Sequence, residues 1–143
     1  MAKLPIQVDV ILFYRDKDVI KYLLLKRTEE RGGFWQPVTG GVEEGENLLY
    51  AARREVMEET GFIKVKKMYD VKYKFSFKNG DKEITEYVFA FEVDTMDVNF
   101  SKREHSEIKW LSFEEALKYL KWDTNKKALK KINDYLLNNL KKE

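Results

Sequence analysis

From Gly40 to Phe62 the chain reads GGVEEGENLLYAARREVMEETGF, and this stretch decides the fold. Glu46, Glu55, Glu58 and Glu59 gather around Arg54, and Gly40, Gly41, Gly45 and Gly61 bracket them. Leu48, Leu49, Ala52 and Val56 recur at helical spacing, so a helix opens just after Gly45-Glu46. Gly61 stands where that helix stops, as the residue best able to take a left-handed cap. Residues three and four apart on a helix are neighbours, so Glu55 meets both Glu58 and Glu59 on one face. Like charges so placed oppose the helix by roughly 0.2–0.5 kcal/mol per pair. Arg54 relieves Glu58, four residues on, and no lysine lies at the matching offset for Glu55 or Glu59. A solvated acidic face and a divalent-cation site both fit such a helix. The glycines favour the second, because a Gly40-Gly41 turn followed by Gly45 lets backbone groups approach an ion or phosphate. Hard cations held by carboxylates are what attack on a polyphosphate requires.

Around this unit the chain alternates strand and helix signals. Ile6 to Tyr14 and Val19 to Arg27 are alternating or apolar, and the turn-like RDKD between them predicts a hairpin. Thr28 to Gly33 is polar and reads as a loop, and FWQPVTGG as a short strand entering a glycine turn. Three aromatic-rich strands are expected after Gly61: Lys64 to Asp70, Val71 to Lys78, and Ile84 to Val93. Asn79-Gly80 joins the last two as a hairpin turn. Ile108 to Leu111 is one more short strand, and Ser112 with Glu115 forms a capping box for a helix to Leu120. Asp123, Thr124 or Asn125 caps a final helix carrying Ala128, Leu129, Ile132, Leu136 and Leu140. The expected architecture is α+β, one domain over residues 1–143, with helices packed on a curved mixed sheet.

Gly40, Glu46, Arg54, Glu55, Val56, Glu58, Glu59 and Gly61 fall at the fixed positions of the pattern G-x5-E-x7-R-E-U-x-E-E-x-G-U. The stretch therefore resembles the signature of the Nudix hydrolases, with Phe62 where an aliphatic residue is more usual. The resemblance implies that family's α/β/α sandwich over most of the chain. It also implies that Glu55, Glu58 and Glu59 ligate Mg²⁺, with Mn²⁺ able to substitute, and offers the Gly40 carbonyl as an extra ligand. Glu46 and Arg54, with Gly41 and Gly61, would hold loop and helix in shape. The residue chemistry agrees, since oxygen donors without cysteine favour a hard metal over zinc. Such cations bridge phosphate oxygens and lower the pKa of an attacking water.

The flanks narrow the reading. Thr39 before the Gly-Gly pair, LLLKR upstream and REHSEIKWL downstream are similar to bacterial dihydroneopterin triphosphate pyrophosphohydrolases, which also act on dATP. That likeness makes Glu104, in the Glu104-His105 pair, a further metal ligand or the general base, with a plain loop carboxylate as the alternative. His105 itself reads as a packing or surface histidine. Arg27 could contact a phosphate, and Phe34 and Trp35 could stack on a base or pterin ring or be buried beside the sheet. Tyr73, Phe75, Phe77, Tyr87, Phe89 and Phe91 alternate on paired strands, and one of their faces is core. No proline follows Pro37, unlike the ADP-ribose branch, and Lys78 stands near where dinucleoside polyphosphate hydrolases often carry a tyrosine. The expected activity is hydrolysis of a nucleoside or pterin triphosphate, or of another nucleoside diphosphate-linked compound, to a monophosphate and pyrophosphate. An RNA 5′-end or dinucleoside polyphosphate hydrolase, or a non-catalytic nucleotide-binding module on the same fold, is the alternative.

Bulk properties set the remaining bounds. Lys plus Arg number 27 against 25 Asp plus Glu, so no general electrostatic grip on nucleic acid is expected. Cysteine is absent, which excludes disulfides and thiolate zinc sites and fits a reducing cytoplasm. The opening MAKLPIQVDV has no long apolar run, and neither a leader nor a membrane span is expected. Lysines 126, 127, 130, 131, 141 and 142 read as the solvated face and basic end of the last helix. A monomer and a homodimer are equally compatible with the chain.

Overall fold

The computed structural model describes residues 3–140. Strand β1 (Lys3–Asp16) turns through Lys17, whose φ of 58° is left-handed, into β2 (Val19–Arg27). A single 3-10 turn (Glu29–Arg31) interrupts the polar loop before β3 (Trp35–Gln36) and β4 (Val38–Glu43). Helix α1 (Leu48–Thr60) follows, then β5 (Lys67–Asn79), β6 (Lys82–Val93), β7 (His105–Leu111), α2 (Phe113–Tyr119) and α3 (Asp123–Leu140). All the strands join one mixed sheet.

The centre of that sheet is β1. On one edge it runs parallel to β6, with Val8 opposite Tyr87. Its other edge is shared: β4 pairs with the first part, Val8 opposite Gly40, and β2 with the last, Phe13 opposite Tyr22. The sheet therefore forks there, and β2 carries β3 and β7 on its two sides. Side chains alternate across β1. Val8, Val10 and Leu12 pack with Ala51, Ala52 and Val56 of α1, and Ile11 and Phe13 with Ala128, Ile132 and Leu136 of α3. Full burial of each Ile132- or Leu136-sized side chain contributes about 1.5–3 kcal/mol, so α3 is anchored by its apolar stripe.

The hairpin, the Gly61 cap of α1, the α2 cap and the last helix follow expectation. Asn47 caps α1 by accepting from the Tyr50 N–H, Gly61 closes it at φ 75°, and Ser112 and Glu115 form the reciprocal box on α2. Asp123 opens α3, but Leu49 is exposed and Ala51 takes its place in the α1 stripe. The two strands expected at Lys64–Asp70 and Val71–Lys78 are one, β5, broken by a bulge where Lys72 adopts φ 57°. A bulge inserts an extra residue without ending the pairing, and in sequence it looks like a turn. β7 starts at His105 rather than Ile108, so the Glu104-His105 pair enters the sheet directly. Gly40 and Gly41 are strand residues of β4, not a turn. Lys141 and Lys142 lie outside the described residues. No described helix is long and apolar enough to cross a membrane.

Candidate active site

One arginine binds the loop before α1 to the helix and to the sheet. Arg54 Nε and Nη2 donate to the two carboxylate oxygens of Glu46 at 2.6 and 2.9 Å. Nη2 also donates to the Gly41 carbonyl at 3.0 Å, and Nη1 to Glu55 at 2.8 Å and Glu58 at 3.4 Å. Glu46 in turn accepts the Glu43 N–H. The two-pronged guanidinium bond holds the Glu46 carboxyl below its usual range, and the same bond raises Arg54 further. Gly45, at φ 82°, makes the turn that presents Glu46.

Gly40 is small for a different reason than a turn. It lies opposite Val8 in β4, and a Cβ added there would overlap the Glu55 carboxyl. Strand and helix thus approach until the carboxylate rests on bare backbone. Glu55 and Glu59 are buried, whereas the Glu58 side chain is 53% exposed and reached by Arg54. Burial first, then the neighbouring Glu55 and Glu104, raise Glu59 well above the ordinary carboxylate range. A buried acid in that position either keeps a proton or meets a cation.

The loop ahead of β7 closes the site. Ser101 N–H donates to the Glu59 carbonyl and Asn99 N–H to that of Thr60, so the loop is pinned to the end of α1. Glu104 is paired with Arg31 at 3.0 Å. His105 is 2% exposed, with Nε2 3.6 Å from Glu59 Oε1 and Nδ1 without a hydrogen-bond partner among the described residues. Burial draws its pKa down to about 4, so the ring is neutral at neutral pH and free to act as a ligand or acceptor. Ligand atoms of Glu59, Glu104 and His105 lie within 4.8 Å of one another. The oxygen-rich donor set with one neutral imidazole suits a hard divalent cation.

Arg27, at the end of β2, donates through Nε to the Arg31 carbonyl and lies 5.4 Å from the Phe34 ring. These residues line a cleft of about 1130 Å³ that also includes Trp122, Phe75, Phe77, Glu86 and Asn125. The structure thus gathers Gly40, Gly41, Arg54, Glu55, Glu58, Glu59, Glu104, Arg27 and Phe34 around one opening. Trp35 is not among the lining residues: it packs edge-on against Tyr119 at 5.5 Å, with Lys109 over its face. Trp122, edge-on to Phe34, is a further ring at the cleft. Trp122 and Glu86 carry no sequence signal, because single residues in separate elements have no spacing to mark them. His105 is buried, as a packing histidine would be, and its Nε2 also approaches Glu59.

A family description, NUDIX domain, matches residues 3–132. A protein of Listeria monocytogenes assigned as a NUDIX hydrolase superposes with a TM-score of 0.83 at 35% identity, covering 95% of this chain and 97% of that one. The dihydroneopterin triphosphate diphosphatase of Escherichia coli is 44% identical over 57 residues, 40% of this chain and 36% of that protein. Its structure superposes over 89% of this chain and 93% of that one at 28% identity, with a TM-score of 0.75. An octanoyltransferase of Myxococcus xanthus is 35% identical over 116 residues, which are 78% of this chain but 32% of that protein. The chain therefore spans about a third of that relative's length. With the acidic helix, the arginine lock and the fork of the sheet in place, the chain belongs to the Nudix hydrolases, which act on phosphoanhydride bonds.

Proposed function

We propose that this chain is a Mg²⁺-dependent pyrophosphohydrolase that converts a nucleoside or pterin triphosphate to its monophosphate and pyrophosphate. The observation that carries the reading is the convergence of Glu55, Glu59 and Glu104 on a cleft that also holds Arg27 and Arg31. The carboxylates, with Glu58 and the Gly40 carbonyl at the margin, would hold the cation. When bound, it offsets phosphate charge and acidifies water. Arg27 and Arg31 bring positive charge to the phosphate chain, a role suited to the planar fork of guanidinium. Glu104, held by Arg31, takes the proton of the attacking water, while the leaving pyrophosphate carries off the electron pair of the broken bond. Phe34 and Trp122 form an aromatic wall for the ring of the substrate. The likeness to the Escherichia coli dihydroneopterin triphosphate diphosphatase supports a triphosphate substrate.

The test is a panel of nucleoside triphosphates, neopterin triphosphate, dinucleoside polyphosphates and ADP-ribose with Mg²⁺, scored for pyrophosphate against orthophosphate. Pyrophosphate release from triphosphates, lost in Glu59→Gln, is expected. Inertness toward all of them, or unchanged turnover in the variant, sinks the reading.

A further inference from the structure

Glu104 has two claimants. Arg31 Nη1 lies 3.0 Å from Glu104 Oε1, with the two side chains 41% and 34% exposed. A ligand oxygen of Glu104 also lies within 4.8 Å of ligand atoms of Glu59 and His105. The carboxylate thus has a guanidinium beside it and the buried acid Glu59 within reach. Both members of the ion pair line the cleft, together with Arg27.

The backbones that carry the pair are tied to one another. Thr28 N–H donates to the Glu104 carbonyl at 3.2 Å, Arg31 N–H to the Thr28 carbonyl at 2.9 Å, and Arg27 Nε to the Arg31 carbonyl at 2.9 Å. Freedom is therefore left to the two side chains. An ion pair this exposed contributes little, because water screens it and two long side chains must be held still. It can be exchanged at small cost. Once Glu104 shares a dication with Glu59, its negative charge is offset and it attracts the guanidinium less. Repulsion between the two cations acts in the same direction. A guanidinium released there stands at the cleft, where its planar fork can meet phosphate oxygens in pairs. Glu104 itself stays at the site, held through its carbonyl by Thr28.

We propose that the Arg31–Glu104 pair is an exchange contact that couples cation binding to phosphate capture. Arg31 occupies Glu104 until a divalent cation takes the carboxylate, and is then transferred to the phosphate chain. The inference rests on the cation and phosphate sites of the reading above, and it gives them an order. Arg31 opposes the cation while phosphate is absent, and it strengthens phosphate binding once the cation is present.

The experiment measures Mn²⁺ binding to the full chain by calorimetry at one pH, for the unaltered protein, Arg31→Gln, Glu104→Gln and the double variant. Arg31→Gln should bind Mn²⁺ about twofold to fivefold more tightly, the strength of an exposed ion pair expressed as a ratio. In the Glu104→Gln background the same change should lose most of that gain, since the pair is already broken. An affinity unchanged or weakened in Arg31→Gln overturns the proposal. So does an equal gain in both backgrounds, which would mean general repulsion without exchange. With Mn²⁺ saturating, α,β-methylene-ATP, whose bridging carbon resists cleavage, should bind Arg31→Gln at least about threefold more weakly than the unaltered chain. Equal binding of the analogue by the two proteins also overturns it. If the unaltered chain takes up no Mn²⁺, the hydrolase reading fails and the inference with it. If Mn²⁺ and the analogue both bind but Arg31→Gln changes neither, only the inference fails.

Discussion

Gly40 and Glu55 share one space: the position that a Cβ on Gly40 would fill is taken by the Glu55 carboxyl. Glycine sets the distance between β4 and α1. Gly40→Ala must push the carboxylate aside or part strand from helix. Overpacking of this kind costs about 1–3 kcal/mol, read as a lowered urea midpoint. Mg²⁺-supported turnover should fall by at least about tenfold, since a shift of an ångström in a positioned group costs that and more. A variant with undiminished activity would show that Glu55 is not held by this contact.

Arg54 answers to the loop, the strand and the helix at once. Arg54→Lys keeps the charge but cannot form the paired bonds to Glu46 and the bond to Gly41 together. With the cluster partly reached by solvent, the loss should be about 2 kcal/mol, smaller than for a fully buried pair. Chemical denaturation would measure it. A shift below a few tenths would mean that the loop stands without its arginine.

Metal binding should release protons. Burial and two neighbouring carboxyls keep Glu59 protonated above the usual range, and a bound cation must displace that proton. Calorimetric titration with Mn²⁺ near neutral pH, in buffers of different ionisation enthalpy, should show release of about one proton, and affinity should climb with pH. Glu59→Gln should bind more weakly and release fewer. Identical release from both proteins would place the proton elsewhere.

Stability without metal should fall as pH rises. Glu59, Glu86 and Asp9 all have folded pKa values above their unfolded ones, so the folded chain binds more protons and loses stability as pH climbs through the raised values. His105 has the opposite sign. Drawn down to about 4 from 6.5, it contributes stability above the unfolded value that is lost as pH falls toward the folded one. Below about pH 6.5 the two trends oppose each other, and above it only the decline remains. The melting temperature of the metal-free chain should drop between about pH 7 and about pH 9, and saturating Mn²⁺ should reduce the drop. A rising melting temperature over that range would contradict the burial of these acids.

The helix carrying the acids was legible because its spacing, cap and acidic face all lie within one short stretch. Ser112 and Glu115, and the stripe from Ala128 to Leu136, were legible for the same reason. What escaped depended on contacts between distant segments. Gly40 looks like a turn residue until Glu55 is placed over it. The Lys72 bulge separates two apparent strands that pair with one continuous partner. Trp35 and Trp122 differ only in which element faces the cleft, and Asp9 meets Glu86 and Asn125 only after the sheet has closed. The parallel pairing of β1 with β6, and the fork on the opposite edge of β1, have no local mark at all.

The kinked outer strand β5 bears on how copies of this chain can meet. It ends the strand order, and its bend at Lys72 combines with lysines 67, 74 and 78 along the same margin. A bent, cation-studded margin makes a poor template for another chain's backbone amides and carbonyls. Cross-molecule ladder growth from that border is thereby discouraged.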